Sequence, residues 1–236
     1  MKVVASLVSI GMAAAVFAQT PAEQTTSSSP QDQATVTTTQ TAASATECEL
    51  HVWPAERFQA MTTGWLSGFG MVGALADSSG HAQGDKARRS HLASALDSEG
   101  QLHALQELDL VNLLSLKQAN IIVHNQPLDR KTVNTITTRR AESVSPCYSE
   151  IIVADVFYQK AAIYGRSLKT LFIIRDFGKA VDKPTVYKTW GGNGLKLFLP
   201  KEGEDVTAAD AELVQTFKQN FEEAAQNYKT HRGVKS

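Results

Sequence analysis

The chain has 236 residues, of which 42% are hydrophobic and 20% charged, and its formal net charge is −1. That balance excludes a strongly basic nucleic-acid binder, and two cysteines are too few for a disulfide-dense miniprotein. The composition is that of an ordinary globular domain, and nothing beyond the N-terminal region is long and apolar enough to span a membrane.

At the N-terminus, Lys2 precedes an apolar run from Val3 to Phe17, and Val16 and Ala18 occupy the −3 and −1 positions of a signal-peptidase site. Residues 1–18 are therefore expected to be a signal peptide, with Gln19 first in the mature chain and a periplasmic or secreted destination. No cysteine lies near that site to accept a lipid. In an oxidising compartment the only two cysteines, Cys48 and Cys147, are expected to form one disulfide. Residues 19–47 are rich in Ser, Thr and Gln, as in Thr25 to Pro30 and Thr37 to Thr39, with no aromatic residue and no Lys or Arg. Such a stretch buries too little apolar surface to offset its ordering entropy, so it is expected to be a disordered leader.

Residues 48–236 are expected to form a single domain. Leu50-His51-Val52-Trp53 alternates until Pro54 stops it, which predicts a short strand. Ala60 to Gly64 does not read as a strand. Helices are expected over Asp85 to Leu96 and over Glu99 to Gln118, where Leu102, Leu105, Leu108 and Val111 recur at helical spacing. Ala119 to His124 predicts a buried strand, and the polar stretch Leu128 to Ser145 a long connection or an edge strand. Glu150 to Tyr158 and Leu168 to Phe177 predict an antiparallel pair. A second hairpin is expected from Thr185-Val186-Tyr187 to Leu195 through Leu199, with its turn at Trp190 to Gly194. Thr207 is expected to cap a final amphipathic helix carrying Val214, Phe217, Phe221 and Tyr228 on one face.

This order predicts an α+β domain: a largely antiparallel sheet of about 4–6 strands, helices on one face and a C-terminal amphipathic helix. In element order alone, the outline resembles small periplasmic modules found in envelope-assembly proteins.

Gly68-Phe69-Gly70-Met71-Val72-Gly73 matches the dinucleotide-binding G-x-G-x-x-G letter for letter. The motif works only between a buried strand and a helix, and neither is read here, so no cofactor is expected. Six histidines include no H-x-x-x-H or H-E-x-x-H pair and are scattered over separate elements, so no metal site is expected. Gly64-Trp65-Leu66-Ser67-Gly68 misplaces the serine of a nucleophile elbow by one position. Two features remain as a candidate partner surface. One is the Gly-rich apolar segment, with Gly64, Trp65, Gly68 and Phe69, where Gly64 and Gly68 form a small-xxx-small pair. The other is a basic group, Arg130, Lys131, Arg139 and Arg140, suited to anionic cell-envelope chemistry; Lys86, Arg88 and Arg89 form a second such group.

The expectation is therefore an exported, non-catalytic binding or envelope-assembly module, with an envelope protein or an anionic envelope component as partner. An exported hydrolase whose site is invisible to motifs is the alternative. No nucleic acid, and no transmembrane segment after signal removal, is expected. The sequence leaves the oligomeric state open.

Overall fold

The computed structural model describes residues 48–63, 90–161, 163–180, 182–201 and 203–233. The signal peptide, the leader, the Gly-rich segment with Gly64, Trp65, Gly68 and Phe69, and the basic group at Lys86, Arg88 and Arg89 lie outside them.

Six strands form one sheet: β1 (Cys48–Trp53), β2 (Phe58–Thr63), β3 (Ala119–Val123), β4 (Tyr148–Ala161), β5 (Gly165–Gly178) and β6 (Thr185–Leu195). The spatial order is β3-β1-β4-β5-β6, with β2 also paired to β4. The longest ladders, β4 with β5 and β5 with β6, are antiparallel. The shorter ones, β1 with β3, β1 with β4 and β2 with β4, are parallel. The class is α+β, as expected.

β1 and β2 lie end to end along the same edge of β4. Pro54 has no N–H to continue the ladder, so pairing stops at Trp53↔Ile152 and resumes at Phe58↔Val156. The strand at Phe58–Thr63 corrects the sequence expectation for Ala60 to Gly64. Its pairing partner lies far along the chain, in the register Phe58↔Val156, so local alternation does not report it.

The helices are α1 (Ser98–Gln106), α2 (Leu110–Leu113), α3 (Arg130–Val133) and α4 (Val206–His231); residues 90–94 are also helical. The helix expected over Glu99 to Gln118 is broken because Asp109 accepts the N–H of Asn112 and starts a fresh turn. At α4 the cap is Asp205, which accepts from Ala208 N–H, rather than Thr207. Helices α1, α2 and α4 pack on one sheet face. Leu213, Phe217 and Phe221 of α4 meet Leu50, Val153 and Phe172 in the main core, and the Phe221 ring stands edge-on to Phe172 at 5.2 Å. Each such side chain contributes about 1.5–3 kcal/mol by leaving water.

The Gly-Gly-Asn-Gly run makes no turn; it lies inside β6. A Cβ on Gly191 would sit 2.4 Å from the backbone oxygen of Asn220. Glycine there lets α4 lie directly against the strand, and Asn220 ties the two by donating to Leu168 O at 3.1 Å. In place of the expected second hairpin there is one edge strand, which ends at Leu195, and Lys196 to Leu199 lie beyond it outside any strand. At the opposite edge, β3 is less buried than expected: Ile121 is 37% exposed because no further strand covers it.

Cys48 and Cys147 form a disulfide that closes a separation of 99 residues and joins the starts of β1 and β4. No helix among the described residues is long and apolar enough to cross a membrane.

Candidate functional site

Strand alternation sends Leu50 and Val52 into the helical core and leaves Glu49, His51 and Trp53 on the opposite face. Parallel pairing of β1 with β3 and β4 then sets His51 beside Ile122 and Glu150, and brings His124 up beside Trp53. Half of this second face is covered by the connection 124–147, with α3 as its single helical turn. Trp53, Val133, Ile152 and Ile173 form a small second core beneath it.

The polar groups under that cover bind one another. Glu150 is fully buried; it accepts from Arg175 at 2.7 Å, Tyr148 Oη at 3.1 Å and the backbone N–H of Arg140 at 2.9 Å. Arg175 also donates to Thr137 O and Thr138 O, and Arg140 to Thr132 O and Val133 O. A carboxylate buried on a sheet is tolerated only when its charge and lone pairs are met in this way. The lattice thereby fixes the path of the connection. Burial, reinforced by the Glu150 charge, raises the Tyr148 phenol above its ordinary value and keeps it a donor.

Beside the lattice, His124 Nε2 and His51 Nδ1 lie 2.8 Å apart, and His51 Nε2 is 3.2 Å from Glu49. The coherent tautomers have His51 Nε2–H donating to Glu49 and His124 Nε2–H donating to His51 Nδ1. Burial lowers the pKa of His51 against the opposing pull of Glu49 and Glu150, with Arg139 on burial's side. Burial, with the neighbouring His51, lowers that of His124. Trp53 stacks on His124 with centroids 4.1 Å apart. Ser143 Oγ donates to the Glu49 oxygen that faces His51. Serine and imidazole thus share a carboxylate, whereas nucleophile activation requires the serine on the imidazole. The two histidines are brought together, contrary to the expectation that all six would be scattered. Among the described residues no group of three or more metal-ligating side chains converges.

Of the basic group expected to meet an anionic partner, half is internal. Arg139 donates to Ala180 O, Ser143 O and Ser145 O and lies over the Tyr148 ring. The Arg140 side chain is 3% exposed. Backbone carbonyls and Glu150 therefore take the Arg140 guanidinium away from solvent, and carbonyls hold the half-buried Arg139. Arg130 and Lys131, on α3, remain exposed.

Among the described residues, nothing covers the other half of the second face. Between Trp53↔Ile152 and Phe58↔Val156, residues Val153 to Asp155 of β4 have no neighbour on the β1–β2 side, and a bulge sets Ala154 and Asp155 against Leu171. A cleft of 260 Å³ opens there, lined by Arg57, Gln59, Arg130 and Asp155 among others. Asp155 is 9% exposed. Arg130 approaches its Oδ1 to 3.1 Å, but the hydrogen-bond geometry is met only at Oδ2, at 3.4 Å, so Oδ1 receives no hydrogen bond. Burial raises the Asp155 pKa against the pull of Arg130.

Asp155, Leu171 and Trp190 form one row across β4, β5 and β6, and Gln59, Phe157, Lys169 and Gly192 form the next. Phe157 and Trp190 stack with centroids 6.0 Å apart, and Trp190 is 49% exposed. Sequence reasoning missed these residues because their meaning depends on strand neighbours. The available signals were the charges Glu150, Asp155 and Arg175 inside otherwise apolar strand runs.

No family model matches the chain, and no curated protein does. Among solved structures, the hypothetical protein CT253 from Chlamydia trachomatis aligns over 76% of this chain and 96% of its own, at 8% identity and a TM-score of 0.34. A second, titled only as an uncharacterized protein, aligns over 79% and 92%, at 9% identity and a TM-score of 0.23.

Proposed function

We propose that the protein is an exported, non-catalytic binding module of the cell envelope, and that it binds through the half of the second sheet face that no other described residues cover. The observation that carries this reading is the Phe157–Trp190 stack, with its tryptophan 49% exposed beside the cleft at Asp155. Large aromatic side chains left at a surface with a polar rim are characteristic of binding sites. The Cys48–Cys147 disulfide supports export, because such bonds persist in oxidising compartments.

A photo-crosslinking residue placed at Trp190, and separately at the exposed Glu222 of α4 as a control, tests the proposal in intact cells. Specific adducts are expected from position 190 only, on protein whose N-terminus is Gln19. Equal labelling from both positions would refute the binding face, and recovery of the chain with Met1 or Lys2 retained would refute export with signal removal.

A further inference from the structure

Resting on the binding-face reading above, we propose that the occupant of this face is an anionic glycan, whose pyranose rings lie on Trp190 and Phe157 and whose hydroxyl groups reach Asp155. Three observations converge on that chemistry. The first is the aromatic platform. A pyranose ring presents a face of C–H bonds, and an exposed indole offers a flat apolar partner for it without demanding a buried pocket.

The second is the buried acid. Asp155 Oδ1 lacks a hydrogen bond in a cleft whose walls are partly apolar, and Arg130 meets the carboxylate only from the solvent side. An acceptor buried without a donor is costly, and a ligand hydroxyl that takes the place of the exposed Arg130 side chain supplies one. Asp155 and Trp190 belong to the same cross-strand row, two strands apart, which places them about 10 Å from each other. Only an extended ligand of more than one sugar ring reaches both. Gln59, at the cleft and in the next row, adds an amide that both donates and accepts.

The third is charge. Lys169 runs alongside Gly192, so that a Cβ there would meet its Nζ at 2.4 Å. Lys188 extends from the same face to Asn134 Oδ1 at 2.7 Å. Among the described residues neither lysine forms an ion pair, and Lys131 forms none. With Arg130 and Arg57 they outweigh Asp155 and Glu56 and favour a ligand bearing carboxylates along its length. A neutral glycan would satisfy the platform and the acid but leave these cations unmatched.

The test uses the mature chain, Trp fluorescence and two soluble probes, tetragalacturonate as the anionic glycan and chitotetraose as the neutral one. Tetragalacturonate is expected to bind more tightly, with affinity that falls as salt rises. Trp190→Ala and Lys169→Gln, read by calorimetry with near-UV circular dichroism as a check on folding, are each expected to weaken it by about tenfold. Asp155→Asn is expected to weaken chitotetraose more than tetragalacturonate, because it weakens the hydroxyl acceptor while removing a negative charge that opposes the ligand carboxylates.

Absence of tetragalacturonate binding, or equal affinity in folded Trp190→Ala and Lys169→Gln, overturns the glycan assignment. Crosslinks from position 190 to protein alone overturn the glycan while leaving the binding face intact. No adduct from that position in cells, together with no tetragalacturonate binding by the unsubstituted chain, overturns both.

Discussion

The histidine pair gives the sharpest expectation for solution behaviour. The bond between His51 and His124 at 2.8 Å requires at least one neutral imidazole, since a second proton leaves two cations facing each other. Glu49 and Glu150 attract a proton to His51, but burial outweighs them, and Arg139 sides with burial. Both folded pKa values therefore lie below the ordinary histidine value of about 6.5. The sign follows from proton linkage: below about pH 6.5 the unfolded chain binds protons that the folded chain refuses. The stability is complete above that pH and declines as pH falls towards the folded pKa values. Each histidine adds at most about 1.4 kcal/mol per pH unit to the slope, so the pair is limited to about 2.7 kcal/mol per unit. His124 contributes less than its limit because it is only half-buried and solvent screens it. The assay is urea unfolding from about pH 8 to about pH 5, comparing wild type with His124→Gln, whose amide still donates to His51 at every pH. Wild type is expected to lose stability more steeply on acidification. Parallel curves for the two proteins would refute the coupling, because all other titrating groups are common to both.

Three further outcomes follow from the packing. Reducing the Cys48–Cys147 bond, or replacing both cysteines with serine, should cost up to about 4.7 kcal/mol in the chain-entropy limit for a loop of 99 residues, seen as a lower urea midpoint. Gly191→Ala should destabilise by about 1–3 kcal/mol, because its Cβ meets the Asn220 backbone at 2.4 Å, whereas Gly194→Ala has its nearest atom at 3.9 Å and should change little in thermal unfolding. Glu212 accepts the N–H groups of Lys196, Leu197 and Phe198 at 2.7, 2.7 and 2.9 Å. Burial pushes its pKa up, but those bonds and Arg166 more than reverse this, so Glu212→Ala should cost about 3 kcal/mol near neutral pH, with the deficit shrinking as acid protonates the wild-type carboxyl.

How far the sequence could be read differs between elements for identifiable reasons. The β4–β5 pair and α4 were legible because their burial is regular: apolar runs mark strands covered on both faces, and Phe217, Phe221 and Tyr228 recur at the helical period. β2 was not, because its pairing partner comes from 98 positions along in the register Phe58↔Val156 and local alternation does not report it. The glycines of β6 misled for a different reason. Gly-Gly-Asn-Gly satisfies a turn and a close helix contact equally well, and only the position of Asn220 decides between them. Asp109 likewise fits a helix interior by spacing and a helix start by chemistry, and the chemistry won.

The candidate site shows why charge in a sequence is weak evidence about a surface. Arg130, Lys131, Arg139 and Arg140 lie within one short stretch, yet the connection that carries them turns between the second and third. Arg139 and Arg140 turn toward the protein because the carbonyls of 132–133, 143, 145 and 180, with Glu150, accept their N–H groups in place of water. The grip of Arg140 on Thr132 O and Val133 O holds α3 in place. That in turn sets Arg130 at 3.1 Å from Asp155 on the rim of the cleft, and carries Asn134 to the amine of Lys188. Arg140, turned away from the face, thus positions the residues proposed to meet a ligand. Arg140→Lys keeps the charge but gives up the two-carbonyl grip, so its effect belongs to the geometry of the rim rather than to the net charge of the face.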